Sequence, residues 1–419
     1  MMIKKLNLVE ILFILLPISL ITGPFLPDLS ISIISLIFLF NFKSNLHIKY
    51  FKNLFFYFFF IFNIYLIFIS FFSSEILQSL KISVFYFRFY IFSLAVWLIL
   101  DNNEKVLRYF FYSLLFSFLI LLFDGFFQYI FGFNIFGWDI HTGPRVSSFF
   151  KEELILGSYL SRLIPLLFGL CLLFYENDKK IFYSLSFLLL VSSETLTFLS
   201  GERSAFFYIN LSCLYLIILL NKYNYLRLIS YALSILIIFS IIILSPHSKD
   251  RIIDQTISQT GIMSDEKVLF SKEHEQIFRT SWKLFKENKM TGIGPNNFKS
   301  NCKKYLKENS DDFRCSSHPH NTYLEILTET GIIGFIAISG LFIFLSFNLL
   351  KHLYNKFANK NIETFSNFEL CLLLCFFISL FPLIPTGSFF NNHLSIIYFL
   401  PVGIFLWAIN NKNYSSKKL

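Results

Sequence analysis

The strongest constraint on this chain is the recurrence, along its whole length, of apolar runs close to the span of a bilayer. Leu54 to Phe72 and Leu228 to Ser245 contain no charged residue, and about 20 helical residues cross the hydrocarbon core. Further apolar runs begin near Val9, Ile31, Ser83, Val106, Glu153, Ile181, Ala205, Gly331, Phe368 and Leu394, which predicts about twelve transmembrane helices by the same length rule. Mean hydropathy is +0.60 and only 15% of residues are charged, values that exclude a soluble enzyme. The 58 Phe are spread over every run, so a soluble domain on a single anchor is excluded too. The expected fold class is all-α: a polytopic membrane protein with one large periplasmic loop.

Charge then orders the runs. The formal net charge of +9 is carried by Lys and Arg that punctuate alternate connections, a pattern of bilayer topology rather than of nucleic-acid binding. Lys4 and Lys5, Lys43 to Lys52, Lys105 and Arg108, Lys179 and Lys180, Lys222 and Arg227, Lys351 to Lys360, and Lys412 to Lys418 mark the cytoplasmic ends. Gly23 to Asp28 and Thr386 to Asn392 carry no Lys or Arg. Both termini are therefore expected inside. Met1 to Gly23 lacks a small-x-small cleavage site and is read as a retained first helix. Residues 1–245 are expected to hold about nine helices, 246–320 the outer loop, 321–411 about three helices and 412–419 a cytoplasmic tail. The loop's basic residues do not oppose this, because long loops translocate regardless of charge.

Arg88, Asp124, Arg162 and Glu194 fall inside predicted spans, where a charge is expensive and marks a functional candidate by default. Glu202 and Arg203 lie at the outer mouth, and the set points to a polar cavity open outward; the alternative is that these groups pair as interhelical ties or snorkel. In the outer loop, Ser271 to Met290 reads as an amphipathic helix with Phe278, Trp282 and Phe285 at i, i+4, i+7. Gly292, Gly294 and Pro295 break it into a turn. Arg279 lies beside the apolar stripe, either at the surface or reaching an anion bidentately. Cys302 and Cys315 stand in polar sequence in an oxidising compartment, where a disulfide is plausible. The other four Cys lie in apolar runs and show no zinc spacing, so no metal site is expected. His318 and His320 sit at the membrane mouth, where an imidazole can act as base, phosphate partner or ligand. Their i, i+2 spacing disfavours a metal pair.

His320 and Asn321, nine residues, then Gly331-x-x-Gly334 resemble the signature of the O-antigen ligase and polymerase superfamily. Gly201 to Ala205, Arg279 with Trp282 and Gly292 to Gly294, and Arg145 to Phe150 leading into Gly157 to Leu160 are similar to further stretches of that family. The resemblance implies a fold related to C-type glycosyltransferases and a metal-independent transfer with no cofactor. It implies an undecaprenyl-diphosphate-linked glycan donor and, as acceptor, lipid A-core or a second lipid-linked glycan. His320, Arg203 and Arg279 are implied as catalytic. Arg145, His318, Asn321 and Glu202 are expected at the substrate. A ligase, a polymerase and a protein-directed oligosaccharyltransferase share this chemistry, and a transporter or flippase is the reading from another class.

Overall fold

The computed structural model describes residues 6–41, 44–140, 145–245, 254, 257–258, 270–306, 313–358 and 364–411. Lys4, Lys5, Lys43, Lys360, the tail 412–419 and most of 246–269 lie outside the described residues. Helix makes up 77%, and no strand occurs among the described residues, in agreement with an all-α class. Two helices precede a short one: α1 (Leu8–Leu20), α2 (Phe25–Phe40) and α3 (Ser44–Phe51). Then follow α4 (Leu54–Ser70), α5 (Ile76–Phe85), α6 (Phe87–Asn102), α7 (Lys105–Phe131), α8 (Leu156–Tyr175), α9 (Lys179–Leu199), α10 (Arg203–Leu219) and α11 (Asn224–Leu244). The outer segment contributes α12 (Lys272–Glu287) and α13 (Phe298–Leu306), and the chain ends with α14 (Thr322–Phe357), α15 (Asn367–Ser379) and α16 (Asn392–Asn410). Seven helical stretches are long and apolar enough to cross a membrane, and five more are shorter and apolar.

Polar side chains set several starts. Asn7 and Glu10 form a capping box on α1, Ser366 and Glu369 another on α15. Asn53, Ser271, Asn321 and Asn391 each accept from an amide of the first turn they precede. The apolar run expected near Gly331 does follow a break there, and it is preceded by a helical segment that starts at Thr322 and is capped by Asn321. Burial divides the bundle into centre and rim. The apolar window of α8 is 89% buried among α9, α10 and α15, whereas those of α11 and α14 are only 28% and 22% buried. Both turn large apolar side chains outward, among them Leu236, Phe239, Ile243, Ile343 and Phe347. An apolar exterior of this extent matches hydrocarbon rather than water.

The intramembrane charges resolve mainly as ties. Arg88 pairs with Asp28 of α2 at 2.9 Å. Asp124 is fully buried and accepts from the Ile135 amide and the Ser148 hydroxyl, so it anchors the loop after α7. Glu194 is buried beside Cys213, among α9 and α10. None of the three lines the large cavity described below. Arg162 does: α8 starts at Leu156, which puts it in the second turn rather than near mid-helix.

The outer segment is fastened to the bundle by main chain. Gly331 adopts φ 68° and ψ −170°, which breaks α14 and frees the carbonyls of the turn before it. Ile293 N and Gly294 N donate to Thr328 O (3.0 Å) and Glu329 O (2.9 Å), and Ile332 N donates back to Lys289 O (2.9 Å). The Gly-x-Gly of 292–294 is thus a backbone clasp rather than a phosphate loop. A Cβ at Gly331 would overlap the Met290 carbonyl. Glu329 completes the joint, its carboxylate accepting from Asn296 N (2.5 Å) and Phe298 N (3.0 Å). Gly331→Ala is expected to destabilise by about 3 kcal/mol, since this backbone region is essentially reserved for glycine. Gly340→Ala, with open space around its Cβ, is the control. Equal thermal midpoints for the two variants in detergent would refute this role of the break.

Candidate active site

A cavity of about 2190 Å³ opens at one end of the bundle, where the α1–α2, α7–α8, α9–α10 and α15–α16 connections meet the residues preceding α12 and α14. The opposite end carries the basic connections: Lys49 bonds Asp101, Lys222 bonds Glu176, and Lys356 donates to the Ile218 and Leu220 carbonyls. Of the residues expected from sequence, Arg145, Glu202, Arg203, His318 and His320 line the cavity.

Each is held differently. Arg203 opens α10 at the mouth. Arg145 Nε donates to Ser200 O at 3.2 Å, which ties Arg145 to the α9–α10 turn. Glu202 faces the cavity, yet both its oxygens are engaged, accepting from Gly157 N (2.7 Å) and Ser158 N (3.1 Å) at the start of α8. A carboxylate is suited to a helix N-terminus. Burial outweighs those donors and the nearby Arg145 and Arg162, so its pKa is pushed up to about 7. Glu202 therefore acts here as a brace between α8 and α10.

His318 and His320 lie in contact, ring centroids 4.1 Å apart and planes tilted by 48°, and His274 of α12 stands edge-on to His320 at 5.4 Å. His320 Nε2 meets Ser316 Oγ at 2.8 Å. His318 Nε2 lies 3.3 Å from Thr386 O, so that nitrogen carries the proton, and Nδ1 meets Ser317 Oγ at 3.0 Å. Burial, then the neighbouring His318 and His274, pull the His320 pKa down to about 4. Burial lowers His318 and His274 as well, against the Thr386 carbonyl and Glu273 respectively. The three imidazoles are neutral at neutral pH.

Thr386 joins the walls. Its hydroxyl accepts from Arg162 Nη2 (3.0 Å), its amide donates to His320 O (2.9 Å), and its carbonyl faces His318. Arg162 also reaches Ser158 and lies over the Tyr208 ring, 4.7 Å from its centroid. Glu325, fully buried in α14, holds the same connection by accepting from Ser388 Oγ and Phe389 N.

Two expected residues stand elsewhere. Asn321 does not line the cavity: its Oδ1 caps α14 through Tyr323 N and Leu324 N, and its Nδ2 donates to Pro382 O. Arg279 of α12 is not among the residues lining the cavity and pairs with Glu275 at 2.8 Å, with 56% of its side chain exposed. The buried face of α12 is Ile277, Thr280, Ser281 and Leu284, whereas Trp282 of the expected stripe is 47% exposed. Cys302 and Cys315 are bridged, Cα atoms 5.4 Å apart, with Cys302 in a small core of Ile277, Leu284, Ile293 and Phe298. The bridge pins the segment that carries Ser316 to His320.

His274 and Thr386 escaped the reading of the sequence. His274 precedes Phe278 by four residues, which was the available signal for a shared face. Thr386 offered none, because it works largely through its main chain.

These features define a polytopic all-α membrane protein with an imidazole and arginine cavity at one end. A family model described as O-antigen ligase matches residues 185–339, from α9 into α14. The match supports membership of the O-antigen ligase superfamily, a family of glycosyltransferase-like enzymes, and it spans Arg203, Arg279, His320 and the Gly331 break. No curated protein sequence matches the chain.

The unfolded chain protonates His320 at the ordinary histidine pKa, while the folded protein does so only near 4, so this stabilisation is present above the ordinary value and lost as pH falls. Thermal midpoints at about pH 7 and about pH 5 should differ more for the wild type than for His320→Gln. Equal differences would contradict a neutral, buried imidazole. Reduction of the Cys302–Cys315 bridge is expected to lower stability by about 3 kcal/mol, read as an earlier unfolding transition in dithiothreitol that Cys302→Ser reproduces without reductant.

Proposed function

We propose that the chain transfers a glycan from an undecaprenyl-diphosphate carrier to lipid A-core at the periplasmic face of the bacterial inner membrane. The observation that carries this reading is the meeting of Arg145, Arg203, His318 and His320 in one cavity at the bundle end opposite the basic connections. The positive-inside rule then puts the basic end and both termini in the cytoplasm and the cavity outside.

The acceptor hydroxyl oxygen attacks the anomeric carbon as the carbon–oxygen bond to the diphosphate breaks. The bonding pair leaves with the diphosphate oxygen, and the hydroxyl proton passes to His320. Its imidazole is unprotonated at neutral pH and so can accept that proton. Arg203 and Arg145 stand where the leaving group's charge develops, beside low-dielectric lipid. Arg279, paired with Glu275 and outside the cavity lining, takes no part in this step. Glycosyl transfer by this route uses no metal and no cofactor. The apolar helix flanks offer the polyprenyl tail a lateral approach.

Transport would call for a midplane site between broken helices in paired halves; the arginine and histidine cluster lies instead at the bundle end. The test is the surface glycolipid profile of a deletion strain complemented with variants, backed by transfer with purified protein. Arg203→Ala and His320→Ala should each lower transfer by about 100-fold or more. Polymer accumulating on the carrier identifies the ligase, and core bearing a single repeat unit identifies the polymerase. Full rescue by both variants would sink the transferase reading.

A further inference from the structure

Three imidazoles from two separate segments share this cavity, and only two of them, His318 and His320, belong to the motif that carries the family resemblance. We propose that His274 takes up a proton when a diphosphate enters the cavity and holds the anion together with Arg203, leaving His320 neutral as the base. The inference rests on the function proposed above, in which a diphosphate is the leaving group.

The geometry supports this division of labour. His274 Nδ1 meets Ser271 Oγ at 2.8 Å, and among the described residues its Nε2 has no partner. Ser271 is the N-cap of α12, so the ring is fixed to the start of that helix. His274 and Arg203 line the same cavity and sense each other's charge. The charged groups facing His274 are Glu273 on its own helix, Arg203 on α10 and Arg314 ahead of the histidine pair, with the His318 and His320 rings beyond. Arg314 is itself paired to Glu273 at 2.6 Å. Partial burial of the rings and the nearby Arg203 and Arg314 charges both favour the neutral form. A diphosphate reverses the second effect. The proton then goes to His274, which has Glu273 beside it, and not to His320, which lies against two other imidazoles. Protonated Nε2 becomes a charge-assisted donor to phosphate oxygen.

The test is calorimetric titration of the full-length protein in detergent near neutral pH, in two buffers of different ionisation enthalpy. Inorganic pyrophosphate and undecaprenyl diphosphate are the probes. Both should bind with uptake of about one proton per anion. His274→Gln should abolish the uptake and weaken binding about tenfold. His274→Arg should keep the affinity without the uptake, a result that a merely structural role would not give. Unchanged uptake in His274→Gln, or none in the wild type, overturns the proposal. Uptake with pyrophosphate but not with the lipid-linked form would assign the cluster to a soluble anion and overturn its link to the donor. Proton uptake that persists in a protein unable to transfer glycan would sink the proposed reaction and leave this site standing.

Discussion

Everything at the mouth of this bundle depends on two carbonyl groups that a straight helix would have consumed. The break at Gly331 releases the Thr328 and Glu329 carbonyls, and the turn after α12 satisfies them with its own amides. An unpaired backbone group in so buried a place would cost free energy comparable to a lost hydrogen bond. The outer segment therefore cannot drift from α14 without leaving those groups bare. The position of α12, and through it of His274, follows from a helix that stops and restarts.

Carboxylates do at the other joints what amides do at this one. Glu202, Glu325 and Glu329 each accept from main-chain amides of a neighbouring segment rather than from a basic side chain. A buried acid bonded in this way positions backbone. Arg162 is the mixed case, lining the cavity while tied to Thr386 and Ser158.

The class of fold was legible in the sequence because hydropathy and length alone identify apolar helices, and Leu54 and Lys105 mark helix starts within a residue of expectation. A helical segment escaped where polar residues begin a helix before its apolar run does, as Asn321 does for α14. Part of the cavity lining was legible: Arg203, Arg145, His318 and His320, marked out by charge in the wrong place and by motif, share one cavity. Asn321 caps the helix that follows it, a placement its motif did not reveal. Arg279 and Trp282 are exposed on α12, because spacing shows which residues share a face but not which face turns inward. Thr386 was invisible, since main-chain bonds leave no trace in side-chain identity.

That last point bears on how such a site can change over time. The bonds from Thr386 to the histidine pair run through its amide and carbonyl, so the register between the α15–α16 connection and that pair survives replacement of the side chain. The link to Arg162 depends on the hydroxyl. The connection can therefore vary in sequence, and with it the shape of the cavity wall, while the histidines keep their place. A scaffold of this kind separates what shapes the cavity wall from what holds the histidine pair.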